Sequence, residues 1–162
     1  MSNIKVGITQ GDINGISYEV ILKTLEDSRI SELCTPIVYG SPKVAAYHKK
    51  MLNLNANLNL INKAEEAQEK KANIINCCAD EVKVEVGFST PQAGDAAFKA
   101  LERATKDLKE GKIDVLVTAP INKNNIQSES FSFPGHTEYL ENIFGEKGDA
   151  LMILANESLR IA

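Results

Sequence analysis

Three short stretches hold the side chains with chemical potential. The richest is Phe133-Pro134-Gly135-His136-Thr137-Glu138. Pro134-Gly135 interrupts regular structure, Thr137 is of a type that caps helices, and Glu138 and Glu141 suit a first helical turn. Tyr139, Leu140 and Phe144 then make a short apolar face. This pattern places His136 on a loop immediately before a helix N-terminus. Backbone N–H groups at such an end lack intrahelical acceptors and sit at the positive end of the helix dipole, which suits an anion such as phosphate. The second stretch is Thr9-Gln10-Gly11-Asp12-Ile13-Asn14-Gly15-Ile16-Ser17, a polar loop with two glycines. It is neither the GxGxxG dinucleotide fingerprint nor a P-loop, and a plain turn accounts for its glycines equally well. The third is Thr118-Ala119-Pro120-Ile121-Asn122-Lys123. Its lysine can hold a phosphate as a point charge, though a surface lysine would also fit there.

The elements around these stretches follow from periodicity. Residues 4–9 alternate and read as a strand, and Ser17 resembles the cap of a helix over about 18–27. A strand, a glycine-containing loop and a helix form the unit that places ligands at the carboxyl ends of strands in α/β sheets. Residues 37–40 read as a short buried strand. Ser41-Pro42 reads as the start of a helix running to about 52, on which His48 lies beside Lys49 and Lys50 on a solvated face and is given no role. Residues 57–61 read as a strand and 63–71 as a charged, solvated segment. Ile74-Ile75 and Val82, Val84 and Val86 suggest two short strands in a less buried part of the sheet. Helical spacing of Ala93, Ala97, Ala100, Leu101, Ala104 and Leu108 predicts a helix over 94–108, with Asp95 in its first turn and Gly111 past its end. The apolar run 113–117, broken only by Asp114, reads as a central parallel strand covered by that helix. Residues 150–154 read as another apolar strand, and 159–162 as the start of one more. The alternation implies an α/β fold with three layers and a mostly parallel sheet. No linker or repeat divides 1–162, so it reads as one α/β region.

Composition excludes several classes. The 162 residues carry a net charge of −4 and are 43% hydrophobic, enough for one core and too apolar for a disordered chain. No basic cluster points to nucleic acid, and no apolar run reaches the length of a membrane span. Cys34, Cys77 and Cys78 are odd in number, and their spacing fits neither a disulfide framework nor a structural zinc site. A reducing cytoplasm is the expected setting.

Taken together, Gly11-Asp12-Ile13-Asn14-Gly15-Ile16, Val117-Thr118-Ala119-Pro120-Ile121-Asn122-Lys123 and Phe133-Pro134-Gly135-His136-Thr137-Glu138 resemble, in order and spacing, the motifs of the 4-hydroxythreonine-4-phosphate dehydrogenase family of pyridoxal phosphate biosynthesis. The resemblance covers the N-terminal half of the family's length. Ile13-Asn14 departs from the family's usual Pro-Ala pair. The resemblance implies a fold like the isocitrate and isopropylmalate dehydrogenases, and a two-domain homodimer with its active site shared between subunits. It implies oxidation of a secondary alcohol by NAD, decarboxylation of the product, and a divalent metal (Zn, Mg or Co). It also implies that His136 and Thr137 bind substrate, with Lys123 and Asp12 near the site. The three metal-binding histidines are expected beyond residue 162, His48 matches none of them, and the 162 residues alone are expected to be inactive. Catalytic and cofactor-contacting residues are left unassigned. Two alternatives stay open: a phosphothreonate or phosphoerythronate dehydrogenase, and a non-catalytic phosphate-binding fragment.

Overall fold

Short apolar runs between loops become five parallel strands: β1 (Lys5–Thr9), β2 (Thr35–Gly40), β3 (Leu58–Ile61), β4 (Ala72–Asn76) and β5 (Val115–Thr118). Their order is β3-β4-β2-β1-β5, and each neighbouring pair is parallel. In register, Ile8 lies opposite Val38 on one side and Val117 on the other. The computed structural model describes residues 3–79, 82–146 and 148–162. Contacts divide the chain into two units, 1–126 and Gln127–Ala162, each with its own packing. Among the described residues no helix is long and apolar enough to cross a membrane.

The first unit has three layers because successive strand residues face opposite sides. Val38 and Ile74 face the helices α1 (Ser17–Glu26) and α3 (Pro42–Met51), packing with Tyr18, Leu22, Val44 and Ala45. Ile37, Tyr39 and Ile75 face the other way, onto Ala100 and Ala104 of α4 (Pro91–Lys109) and onto Ile113. A short helix, α2 (Ser28–Leu33), leads into β2. Local signals set two helix starts: Ser41 Oγ accepts from Val44 N at 3.3 Å, and Thr90 Oγ1 accepts from Ala93 N at 3.3 Å, each cap followed by proline. α4 therefore begins at Pro91, earlier than periodicity suggests, and Asp95 falls outside its first turn. Tyr39 Oη donates to the buried Asp107 Oδ2 at 2.9 Å, tying α4 to β2.

Four sequence expectations are corrected. Among the described residues β5 is an edge strand rather than a central one: it pairs with β1 alone, and Val115 and Val117 are 45% and 50% exposed. Its inward side is carried by Ile113 and Leu116, so the apolar run reflects a strand with apolar groups on both faces. β4 is deeply buried, despite its polar company. Asn73, fully buried, donates to the carbonyls of Pro36, Gln68 and Lys71 and accepts from Asn59 Nδ2 and Gln68 N, so it is polar but fully bonded. Val82, Val84 and Val86 form no strand; Val82 and Val84 pack partly against the core while backbone N–H groups of this segment bond to Asn14. His48, expected on a solvated face, is 2% exposed. In 63–71 a short 3-10 turn, Ala64–Glu66, buries Ala64.

The cysteines are free, and burial raises their thiol pKa values. Cys77 is pushed up to about 12 by burial and then by its neighbour Cys78. The thiolate is the reactive form, so native Cys77 should alkylate roughly a thousandfold more slowly at pH 8 than an exposed cysteine. Mass mapping after timed iodoacetamide treatment checks this; equal labelling of native and urea-unfolded chains would contradict it. The folded value is the raised one, so this stability term holds below the ordinary thiol range and fades as pH climbs toward 12.

The second unit holds α5 (His136–Phe144) and an antiparallel pair, β6 (Leu154–Ala155) and β7 (Arg160–Ile161). Asn156 makes the turn between them, its Oδ1 accepting from Ser158 N and Leu159 N at 2.9 and 2.7 Å. Thus most of 150–154 is not a strand, and Leu151, Met152 and Ile153 are exposed.

Candidate functional site

In the first unit two of the sequence-marked loops meet at the carboxyl ends of neighbouring strands. The loop after β1 carries Asp12, and the loop after β5 carries Lys123. Asp12 N donates to Pro120 O at 2.8 Å, and Ser17 Oγ donates to the same carbonyl at 2.8 Å. Ser17 therefore joins two loops instead of capping α1, whose N-cap is Ile16. Gly11 makes the approach possible: its φ is +62°, and a Cβ there would lie 2.3 Å from Pro120 O. The partly buried Asp12 carboxylate accepts from Asn14 N at 3.0 Å, while Gly15 N reaches Asp12 O at 3.3 Å, closing a turn over 12–15. In the other loop, Asn122 Oδ1 accepts from Asn124 N and Asn125 N at 3.0 and 3.3 Å. That turn rests on α4 where Gly94 has no side chain: a Cβ there would stand 1.8 Å from Asn125 O. Lys123 is exposed beside it.

In the second unit the helix starts two residues earlier than read from sequence, so His136 is in the helix and not on the loop before it. Gly135 is the N-cap of α5, with His136 and Thr137 as its first two residues, so Thr137 is not the cap. Gly135 carries no side-chain oxygen, and its extended backbone (φ −177°) leads directly into the helix. His136 and Thr137 are both partly buried at this end. Three rings hold the segment in place: Phe131, Phe133 and Tyr139 pack with centroids 5.4–5.5 Å apart. Gln127 Nε2 adds a bond to Phe133 O at 2.8 Å. The ring trio went unread in the sequence, although aromatics at 133 and 139 bracket the His-Thr pair. Thr137 also lines an open cleft of about 440 Å³ with Leu140, Glu141, Phe144, Leu151 and Met152.

The chain resembles known proteins in sequence and in fold. The family profile of the pyridoxal phosphate biosynthetic protein PdxA matches residues 32–162. The chain belongs to the PdxA family. It is 58% identical over 161 residues to the 4-hydroxythreonine-4-phosphate dehydrogenase of Bacteroides thetaiotaomicron, covering 99% of this chain and 44% of that protein. A protein of Oceanobacillus iheyensis, provisionally named a D-threonate 4-phosphate dehydrogenase, is 32% identical across 96% of this chain and 48% of its own length. The crystal structure of 4-hydroxythreonine-4-phosphate dehydrogenase from Klebsiella pneumoniae superposes with a TM-score of 0.85 at 30% identity, over 99% of this chain and 49% of that one. The chain thus spans about half the length of the curated relatives it matches.

Within this PdxA-family chain, the described residues divide the candidate groups between two places. Asp12 and Lys123 belong to joined loops of the first unit, and His136 and Thr137 to the helix start of the second. Among the described residues no three His, Cys, Asp or Glu side chains converge as metal ligands, so none is assigned here. His48 is bonded instead to the loop of Asp12, its Nε2 donating to Ile13 O at 2.8 Å. Sequence reading missed His48 and Asn14 because their partners lie far along the chain.

Proposed function

We propose that this chain forms the N-terminal half of an NAD-dependent 4-hydroxythreonine-4-phosphate dehydrogenase. The supporting observation is the 58% identity to a protein of that name, over 161 residues that span all three motif stretches. In the complete enzyme, NAD would supply the hydride acceptor for oxidation of the secondary alcohol of 4-phosphohydroxy-L-threonine, with release of the hydroxyl proton, and the keto acid would then lose carbon dioxide. Each candidate residue suits one group of this substrate. The exposed ammonium of Lys123 suits an anion, and the Asp12 carboxylate suits an ammonium or hydroxyl. His136 and Thr137, at a helix start with outward N–H groups, suit the phosphorylated end or its hydroxyl neighbours. A divalent metal (Zn, Mg or Co) would be held by residues other than those described here, and two subunits would share the site.

The test is NADH formation by the complete enzyme with 4-phosphohydroxy-L-threonine and added divalent metal, alongside D-threonate 4-phosphate. Turnover of the first with a clearly higher kcat/KM is expected. No NADH, or preference for the threonate, would overturn the assignment. The isolated 162-residue chain is expected to give no turnover in the same assay.

A further inference from the structure

Asn14 is 2% exposed and uses every polar atom it has. Its Nδ2 donates to Phe88 O at 2.8 Å and to Thr90 Oγ1 at 3.1 Å, and its Oδ1 accepts from Glu85 N at 2.8 Å. Its backbone O accepts from Gly87 N at 2.8 Å, and its backbone N donates to Asp12 Oδ1 at 3.0 Å. One residue therefore joins the Asp12 carboxylate, the irregular segment 82–90 and Thr90, the cap of α4. The adjacent Ile13 is clamped from the opposite direction. Its carbonyl accepts from His48, itself 2% exposed and stacked on Tyr18 with ring centroids 5.4 Å apart.

A buried side-chain amide with three partners is costly to misplace, because each lost bond leaves a desolvated group behind. Asn14 is in the chemically rich loop but does not face solvent, so it does not touch substrate. We propose that Asn14 is a positioning residue for Asp12. Its backbone N–H fixes the carboxylate within the 12–15 turn, and its side-chain amide anchors that turn to 82–90, with the exposed Val86 and Phe88, beside the substrate loop. This rests on the reading that the Asp12 loop binds the polar substrate. Truncating Asn14 removes the side-chain partner of Glu85 N–H and Phe88 O and leaves Thr90 Oγ1 with Ala93 N alone, so 82–90 loosens and the turn that carries Asp12 loses its support.

The test compares the complete wild-type enzyme with Asn14→Ala and Asn14→Asp. The aspartate keeps the acceptor for Glu85 but loses both donors. Steady-state kinetics with 4-phosphohydroxy-L-threonine, thermal midpoints and amide exchange of 82–90 are measured for each. About tenfold or more in KM is expected for Asn14→Ala, with kcat held within about threefold, since the loop binds rather than reacts. Exchange at 82–90 should rise while β2 stays protected. A lower thermal midpoint with KM unchanged marks a purely structural asparagine and overturns the proposal; if Asn14→Ala does not fold, the same reading is taken from Asn14→Asp. Should the wild type not turn over this substrate, the functional reading fails. Exchange then decides alone, and unchanged exchange at 82–90 in the variant overturns the positioning role.

Discussion

Gly11→Ala is expected to cost about 3 kcal/mol or more of stability and to abolish the joined-loop site. Two independent penalties add. At φ +62° an L-residue with a Cβ is strained by about 1–2 kcal/mol. The new methyl would also stand 2.3 Å from Pro120 O, 2.8 Å from Ser17 Oγ and 2.9 Å from Ala119 O. Two of these are backbone atoms that cannot swing aside, so the loops after β1 and β5 must separate. Both bonds to Pro120 O, from Asp12 N and Ser17 Oγ, are lost with them. Gly15→Ala is the control: its φ lies outside the left-handed region, and a Cβ there meets Asp12 Oδ2 at an ordinary 3.4 Å, so about 1 kcal/mol or less is expected. Chemical denaturation of both variants measures the difference. Equal losses would show that loop approach is not what Gly11 supplies.

In the complete enzyme, His136→Ala is expected to lower kcat/KM roughly a hundredfold, equivalent to about 2–3 kcal/mol for one lost polar contact to a charged group. Misplacing the substrate also slows the hydride step, so kcat falls with the rise in KM. The fold should change little. His136 is partly buried at the first position of α5, while Phe131, Phe133 and Tyr139 hold the segment. Zinc affinity should be unchanged, because the expected role is to grip substrate. Steady-state kinetics beside a zinc titration separates the possibilities. A collapse in zinc binding with intact substrate affinity would make His136 a metal ligand instead.

What was legible in the amino-acid order was whatever closes within a few residues. Ser41-Pro42 announced α3 because its cap bond spans three residues, and the alanine spacing announced α4 because a helix repeats locally. The parallel α/β class followed from the same local alternation of strand and helix, and the 3 motif stretches marked which loops carry polar chemistry. Other features depended on partners far along the chain. Asn14 meets 82–90 across more than seventy residues, and His48 meets Ile13 across 35, so their burial shows only in three dimensions. Asn73 reads as polar and is core, because its partners come from a neighbouring strand and loops. Val115 reads as central and is at an edge, because an apolar run records how greasy a strand is and not how many strands flank it. Gly11 and Gly94 make the same point: each is glycine because a distant backbone carbonyl arrives where a Cβ would stand, and only the tertiary structure brings that carbonyl there.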